Sequence, residues 1–237
     1  MRLVDMAIRP TRYFPFGDSA LVVEIGDVID LEVNAKVLAL DQAITQSKIF
    51  GIQECVPTYR SLLIRYNPLK TTYEELVFQI RNLEGSIQEV TVEERETKEI
   101  VVPVVYGGKY GPDLKYVAEI HSLTEEEVVR IHSAKRYRVY MIGFIAGFPY
   151  LGVVDDEIAT PRLKTPRIRV PEGAVGIAEK QTGIYPREAP GGWRIIGRTP
   201  MKLFNPSRHP PSLLKPGDIV KFKPITEREF RALKAKQ

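Results

Sequence analysis

The chain has 237 residues, 43% hydrophobic and 27% charged, and its 34 basic and 30 acidic residues give a net charge of +4. These values are ordinary for a globular protein of one large or two small domains, and the interleaved charges argue against nucleic-acid binding. No apolar run approaches the roughly 18 residues of a membrane span, the N-terminus lacks a signal-peptide core, and Cys55 has no cysteine to pair with, so we expect a cytoplasmic protein.

The first seventy residues alternate between strand and helix patterns. "SALVVEI" at 19–25 predicts a buried strand, and Asp30 is placed to cap the helix that follows. Two apolar segments at 51–56 and 60–66, separated by "PTY", predict a hairpin.

A second helix is predicted at "TTYEEL", where either Thr71 with Glu74 or Thr72 with Glu75 forms a capping box. A further strand is expected near 87–92. The resulting order, β-α-β-β-α-β, is typical of a ferredoxin-like α/β domain.

The charged segment "EERETKE" at 93–99 marks the expected domain boundary, which gives an N-terminal domain at 1–97 and a second domain at 98–237. The second domain begins with the strand "IVVPVVYGG" and two short helices, "GPDLKYVAEIHS" and "TEEEVVRIHSAK". From about residue 137 the chain consists of short apolar runs broken by Gly and Pro, which predicts a β-barrel or sandwich. "LKPGDIVKFKPI" predicts a strand, and "TEREFRALKAKQ" a short polar helix.

Conventional catalytic motifs are absent from the sequence. His121, His132 and His209 share no metal-ligand spacing, so no metal site is predicted. "YGGKYG" at 106–111 is Gly-rich but does not follow a phosphate-loop pattern. Cys55 lies in an apolar, strand-like stretch, which favours a packing role.

Three stretches have unusual compositions. "GFIAGFPYLG" at 143–152 combines glycines that permit close backbone approach with Phe144, Phe148 and Tyr150, which would line a pocket wall. "TPRLKTPRIRVP" at 160–171 carries a basic cluster that suits carboxylate or phosphate groups. A charged, solvated barrel edge explains that cluster equally well.

The third stretch, "QTGIYPREAPGGWRIIGRTP" at 181–200, contains the single tryptophan. Gly191 and Gly192 allow the main chain to pass close to a neighbour, and Trp193 would cover it. A barrel corner with an aromatic plug is the competing interpretation.

Together these three stretches resemble the KipI family, whose members are also described as the B subunit of 5-oxoprolinase and as allophanate hydrolase subunit 1. The family segments correspond here to "GFIAGFPYL", "ATPRLKTPRIRVPEGAVGIA" and "QTGIYPREAPGGWRIIGRTPMKLFNP". "FGDSALVVEIGDVID" and "VPVVYGGKYGPDL" also match in order, so the resemblance spans nearly the whole chain. Ala146 replaces the usual proline, and Ala189 replaces the serine that usually precedes Pro-Gly-Gly-Trp.

The resemblance implies an α+β protein with a ferredoxin-like N-terminal α/β domain and a cyclophilin-like C-terminal β-barrel. It implies a non-autonomous part of an ATP-dependent 5-oxoprolinase, which opens the 5-oxoproline lactam to L-glutamate. Its partners would be a carboxyltransferase-like second subunit of the KipA type (the C subunit of 5-oxoprolinase) and a third subunit. ATP is a co-substrate of that assembly. The family motifs do not identify a catalytic residue.

For a site shared with the second subunit, we expect cations and hydrogen-bond donors to bind the substrate. The residues assigned to substrate binding are Arg162, Arg167, Gln181, Thr182, Tyr185, Arg187, Gly191, Gly192, Trp193 and Arg198. Two alternatives from the family are inhibition of a sensor histidine kinase and a role in an allophanate- or urea-processing enzyme. Peptidyl-prolyl isomerisation ranks last, because only the barrel suggests it.

Overall fold

The computed structural model describes residues 10–87 and 98–236. The chain divides into two compact units, Met1–Glu96 and Thr97–Gln237. The expected boundary at residue 97 lies outside the described residues and stays a prediction. In the described part of the chain, helices accompany a four-stranded sheet, a closed seven-stranded barrel and a two-stranded ribbon, so the fold class is α+β. No helix among the described residues is both long enough and apolar enough to span a bilayer.

The first unit is an antiparallel sheet in the order β1-β2-β4-β3 with two helices. Leu21 and Ile64 from the sheet pack against Val37 and Ile80 from the helices in one buried cluster. The elements are β1 (Arg12–Pro15), β2 (Ala20–Glu24), α1 (Leu31–Ser47), β3 (Ile52–Pro57), β4 (Ser61–Tyr66) and α2 (Tyr73–Ser86).

Local signals predict the starts of both helices correctly. Asp30 caps α1 by accepting hydrogen bonds from the backbone N–H groups of Glu32 and Val33. Of the two possible capping boxes before α2, Thr72 with Glu75 forms. Strand β1 is not predicted from the sequence, and it pairs with β2 at that edge of the sheet. The expected strand at 87–92 lies, apart from Ile87, outside the described residues, so the ferredoxin-like assignment stays a prediction.

The second unit contains the barrel, whose strand order is β10-β7-β6-β13-β5-β12-β9, closed by pairing of β10 with β9. Strands β13 and β5 are parallel, and the other neighbours are antiparallel. The elements are β5 (Glu99–Tyr106), α3 (Leu114–Ile120), α4 (Glu125–Ala134), β6 (Arg136–Ile142), β7 (Pro149–Gly152), β8 (Arg167–Val170), β9 (Ala174–Ala178), β10 (Gln181–Ile184), β11 (Ala189–Gly191), β12 (Arg194–Arg198), β13 (Ile219–Pro224) and α5 (Glu227–Lys234).

Inward-facing side chains of the barrel form the larger core, which also includes residues of α3 and α4. The alternation expected in β13 is present, since Val220 and Phe222 are buried while Lys221 and Lys223 are exposed. A second, smaller cluster of buried residues centres on Phe148 and Trp193, and β8 and β11 pair beside it as a separate ribbon. The barrel confirms the expectation of a β-barrel or sandwich after residue 137, and the cyclophilin-like assignment stays a prediction.

Candidate functional site

Trp193 lies against two glycines from neighbouring barrel strands. Gly183 in β10 is directly opposite Gly176 in β9 and Tyr150 in β7. A Cβ on Gly183 would come within 2.9 Å of Trp193 Cζ3, and one on Gly176 within 3.1 Å of Trp193 Cβ. The missing side chains therefore leave a flat area of barrel wall on which the indole rests.

Phe148 is the centre of the aromatic cluster around Trp193. Its ring centroid lies 5.4 Å from Trp193, 5.1 Å from Tyr185 and 4.9 Å from Tyr150, each in an edge-to-face arrangement that aromatic rings prefer. Phe144 makes a similar contact with Phe148 at 5.7 Å, but it is 59% exposed and has a left-handed backbone with φ of 63°. The cluster thus has a buried centre, in which Trp193 is 7% exposed, and an exposed aromatic rim.

Arg167 approaches the cluster from β8. Its Nη1 donates to the Trp193 carbonyl at 3.4 Å, and its Nη2 donates to Asp113 Oδ1 at 2.8 Å. The other Asp113 oxygen accepts a hydrogen bond from the backbone N–H of Ile195 at 2.6 Å. One buried carboxylate therefore fixes both the guanidinium and the start of β12.

Arg162 lies in a segment whose backbone is anchored on both sides. Leu163 N donates to Gly192 O at 2.7 Å, and Arg194 Nε donates to Pro161 O at 3.1 Å. Burial raises the pKa of the Tyr150 and Tyr185 phenols above the usual value, and the charge of the exposed Arg162 side chain acts in the opposite direction on both. Of the expected cations, Arg162 and Arg167 therefore both lie beside the aromatic cluster.

Tyr185 links the aromatic cluster to the glycine pair. A Cβ on Gly191 would come within 2.1 Å of the Tyr185 hydroxyl, so only glycine fits there. Burial raises the pKa of the Tyr185 phenol to about 12, although a hydrogen bond from the Trp193 backbone and the nearby arginines act in the opposite direction. The phenol is therefore a neutral hydrogen-bonding group at physiological pH.

Thr182 faces the opposite side of β10, inside the barrel. Its hydroxyl donates to Gly176 O at 2.9 Å and so must accept from His132 Nε2, also at 2.9 Å. His132 Nδ1 then accepts from the Tyr106 hydroxyl at 2.9 Å. This chain of hydrogen bonds fixes a neutral imidazole, and burial lowers the pKa of His132 to about 3. The structure separates Thr182 from the aromatic cluster, and its contact with substrate stays a prediction.

Three other predicted residues lie at or beyond the edge of the cluster. Gln181 is half-buried and shares the outer face of β10 with Gly183. Arg198 is at the far end of β12 and donates to the Glu172 carbonyl at 2.7 Å. Arg187 is exposed in the segment between β10 and β11.

The two departures from the family pattern differ in environment. Ala189 is buried in the cluster, so the hydroxyl of a serine there would lie among aromatic and aliphatic side chains. Ala146 is exposed in the loop between β6 and β7, where it can be replaced without disturbing the buried rings.

Asp113, Gly176 and Gly183 are site residues that no sequence motif singles out. A glycine inside each of two predicted strands is an available signal, because such glycines often mark a close approach. Asp113 directly precedes a helix and has the pattern of an ordinary capping residue. Within residues 10–87 and 98–236, His, Cys and acidic side chains form no group of three or more that could hold a metal ion.

Comparison with known proteins connects this chain to one family. A family profile described as "Carboxyltransferase domain, subdomain C and D" matches residues 11–214. The 5-oxoprolinase B subunit of Bacillus subtilis (strain 168) is 43% identical over 227 residues, which cover 92% of this chain and 94% of that protein. A more distant relative, urea amidolyase of Lachancea kluyveri, is 26% identical over 92% of this chain but only 13% of its own length.

Two solved structures are similar to this chain. The conserved uncharacterized protein PH0987 from Pyrococcus horikoshii is 49% identical, with a TM-score of 0.56, over 92% of this chain and 100% of that one. The structure of TTHA0988 has a TM-score of 0.77 and 34% identity over 87% of this chain. This chain spans 40% of TTHA0988, so the same fold there is part of a longer polypeptide.

Proposed function

We propose that this chain, which belongs to the carboxyltransferase family of subdomains C and D that includes the B subunit of 5-oxoprolinase, acts as the B subunit of a 5-oxoprolinase. The observation that carries the proposal is the 43% identity to the Bacillus subtilis protein over 94% of its length. This similarity covers 92% of the chain rather than one motif, and the family profile matches residues 11–214, which include every segment that builds the aromatic cluster.

The proposed reaction is the ATP-dependent opening of the 5-oxoproline ring. The amide C–N bond breaks, one water supplies the new carboxylate oxygen, and the ring nitrogen becomes the amine of glutamate, while a second water is consumed as ATP is cleaved to ADP and phosphate. An amide in a five-membered ring is a poor electrophile, so the carbonyl oxygen must be stabilised as negative charge develops on it. ATP supplies the driving force by activating that oxygen.

The described residues fit the binding of an anionic substrate. The exposed guanidinium of Arg162 can bind an anion, and its charge acts on the Tyr185 phenol, which burial keeps neutral at physiological pH. The main chain at Gly191 lies against the Tyr185 hydroxyl, and Trp193 lies in the same buried cluster. These groups can hold a carboxylate or phosphate, but none of them is an activated nucleophile or a general base, which supports a shared site.

A carboxyltransferase-like subunit and a third subunit would complete this site. The rim of the cluster is exposed and apolar, as Phe144 shows, and Ile168 on the β8 ribbon is 85% exposed. Such residues are favourable contact points for another polypeptide. In TTHA0988 the matching region accounts for only 40% of a longer chain, which is consistent with a module that works together with other domains.

Reconstitution tests the proposal directly. The chain would be co-expressed with its candidate partner subunits, and glutamate release from 5-oxoproline would be followed with and without ATP. Activity is expected only with all subunits and ATP present. Full activity from this chain alone, or a complete assembly that cannot use 5-oxoproline, would contradict the proposal.

A matched pair of variants tests where the partner binds. Phe144→Ala removes an exposed ring at the cluster rim, whereas Phe50→Ala removes an exposed ring in the other unit, where the Lys70 ammonium lies over it in a cation–π interaction. We expect the first variant to weaken co-purification with the carboxyltransferase-like subunit and the second to leave it unchanged. Equal effects would place the interface elsewhere.

The distant similarity to urea amidolyase supports a second candidate, a subunit that handles a ureido compound such as allophanate. The same reconstituted complex distinguishes the two by releasing ammonia from allophanate instead of glutamate from 5-oxoproline. Inhibition of a histidine kinase is tested by adding the purified chain to an autophosphorylating kinase.

A further inference from the structure

Arg162 and Arg167 both lie beside the aromatic cluster, but their surroundings differ. Arg167 is 31% exposed and is paired at 2.8 Å with Asp113, whose side chain is 8% exposed. Arg162 is exposed, and among the described residues it has neither an ion pair nor a hydrogen bond from its guanidinium. The positive charge of Arg167 is therefore neutralised within the chain, while that of Arg162 remains available.

The Asp113 carboxylate uses both of its oxygens. One accepts from Arg167 and the other from the Ile195 backbone, so the carboxylate cannot rotate without breaking a short hydrogen bond. Arg167 in turn contacts the Trp193 carbonyl. This arrangement connects the start of α3, strand β8 and the segment that carries Trp193, and it turns the Arg167 guanidinium toward the protein.

We propose that Asp113 is a positioning residue that holds Arg167 in a structural role, and that Arg162 is the cation that binds the anionic group of the substrate. The inference rests on the proposed function, and it specifies how the same site recognises a carboxylate or phosphate. Charge counting supports it, because Asp113 and Arg167 together contribute zero and Arg162 alone contributes one positive charge.

The backbone around Arg162 supports the same division. Pro161 O and Leu163 N, on either side of Arg162, are both held by hydrogen bonds to the segment 192–194. The residue is therefore anchored through its main chain while its side chain is free to meet a ligand. The charge of Arg162 also acts on the Tyr185 phenol, where it opposes the rise in pKa that burial causes, which agrees with a position of Arg162 beside the aromatic cluster.

Chemical modification tests the division without requiring activity. Phenylglyoxal would be added to the purified chain, and the modification rate of each arginine measured by peptide mass spectrometry. Arg162 should react about as fast as the exposed Arg187, and Arg167 at least about tenfold more slowly, because its guanidinium is held by the Asp113 carboxylate. Asp113→Asn should bring the Arg167 rate up to that of Arg162. Equal rates for Arg162 and Arg167 in the unaltered chain would overturn the proposal.

Kinetics of the reconstituted complex test the role in recognition. Arg162→Gln should raise KM for 5-oxoproline by roughly ten- to a hundredfold, the usual effect of losing a charge-assisted hydrogen bond, with an unchanged melting temperature. The control Arg169→Gln changes an exposed arginine of β8, which pairs with Glu188 at 3.6 Å, and should change KM by less than about threefold. Equal increases in KM for the two variants would refute the assignment.

Asp113→Glu provides the rescue control for positioning. The longer carboxylate can still accept from Arg167, so it should keep Arg167 slow toward phenylglyoxal, in contrast to Asp113→Asn.

A complex that cannot use 5-oxoproline but retains the modification pattern would refute the proposed function and leave the division of roles between the arginines supported. Loss of the pattern would refute the division whatever the substrate.

Discussion

The two faces of strand β10 show two ways in which the barrel unit uses its residues. On the inner face, Thr182 and Ile184 belong to the interior, and Thr182 takes part in a hydrogen-bond chain with His132. On the outer face, Gly183 has no side chain and supports the ring of Trp193. On the inner face, buried polar groups are stabilised because each has a hydrogen-bond partner. On the outer face, the absence of a side chain at Gly183 leaves room for the Trp193 ring to pack.

The largest expected effect is on the outer face, where Trp193→Ala would remove the central part of the aromatic cluster. Loss of a buried tryptophan costs about 3–5 kcal/mol in unfolding free energy, measured by denaturant unfolding of the barrel unit. Trp193→Phe keeps part of the ring packing and should cost less than half as much. If Trp193→Ala abolishes complex assembly while the barrel remains folded, the indole contributes to function beyond packing.

Gly183→Ala tests whether the flat area is required. The added Cβ would lie 2.9 Å from the Phe148 ring, the Pro149 carbonyl and the Trp193 ring, so the rings and backbone must shift. We expect a loss of about 3 kcal/mol in unfolding free energy. Gly192→Ala is the matched control, because its nearest neighbour would be 3.6 Å away, and it should change stability little. Similar losses for both variants would show that backbone freedom, not space, is what matters.

On the inner face, Thr182→Val keeps the volume of the side chain but removes its hydroxyl. His132 Nε2–H would then be buried without an acceptor, which we expect to cost about 2 kcal/mol in unfolding free energy. The nitrogen-15 shifts of the His132 ring, measured by NMR, should also change. Unchanged stability would mean that the hydrogen-bond chain contributes little to the interior.

The smallest expected effect is the pH dependence caused by His132. Because burial lowers its pKa to about 3 in the folded protein, the unfolded chain takes up a proton near pH 6.5 that the folded chain does not. The contribution of the neutral His132 to the free energy of unfolding is fully present above a pH of about 6.5. It is lost at about 1.4 kcal/mol per pH unit as the pH falls toward about 3.

His132→Gln should flatten this acid dependence in urea unfolding between about pH 4 and pH 7, although it also lowers stability at neutral pH. The exposed His209 is the matched control, and His209→Gln should keep the slope of the unaltered protein. An equal slope in His132→Gln would assign the acid sensitivity to other groups.

Local sequence signals predict much of the secondary structure. The caps at Asp30 and Thr72 lie at the starts of α1 and α2, because a cap requires only a side chain and the backbone N–H groups two or three residues away. Strand β13 is predicted by its alternation. Strand β1 has one half-buried residue among exposed ones and carries too weak a pattern to be predicted.

The aromatic and glycine content of 143–152 and 181–200 marks both segments as unusual but leaves open whether they form a pocket wall or an aromatic plug. In the structure, Phe148, Tyr150, Tyr185 and Trp193 form one cluster. The sequence could not separate the two faces of β10, since Thr182 and Gly183 are neighbours whose sides depend on the register of the strand. Nor could it distinguish Arg162 from Arg167, which have the same side chain and follow the same Thr-Pro motif.

The sequence by itself therefore determined the helices, the strands β2, β3, β4, β5 and β13, and the unusual composition of the segments that form the aromatic cluster, because these depend on periodicity and on near neighbours in the chain. Only the tertiary structure decided which arginine is neutralised and which threonine is internal. Asp113 and Arg167 are 54 positions apart, and their hydrogen bond exists because the packing of α3, β8 and β12 brings a carboxylate and a guanidinium together. No local pattern encodes that distance.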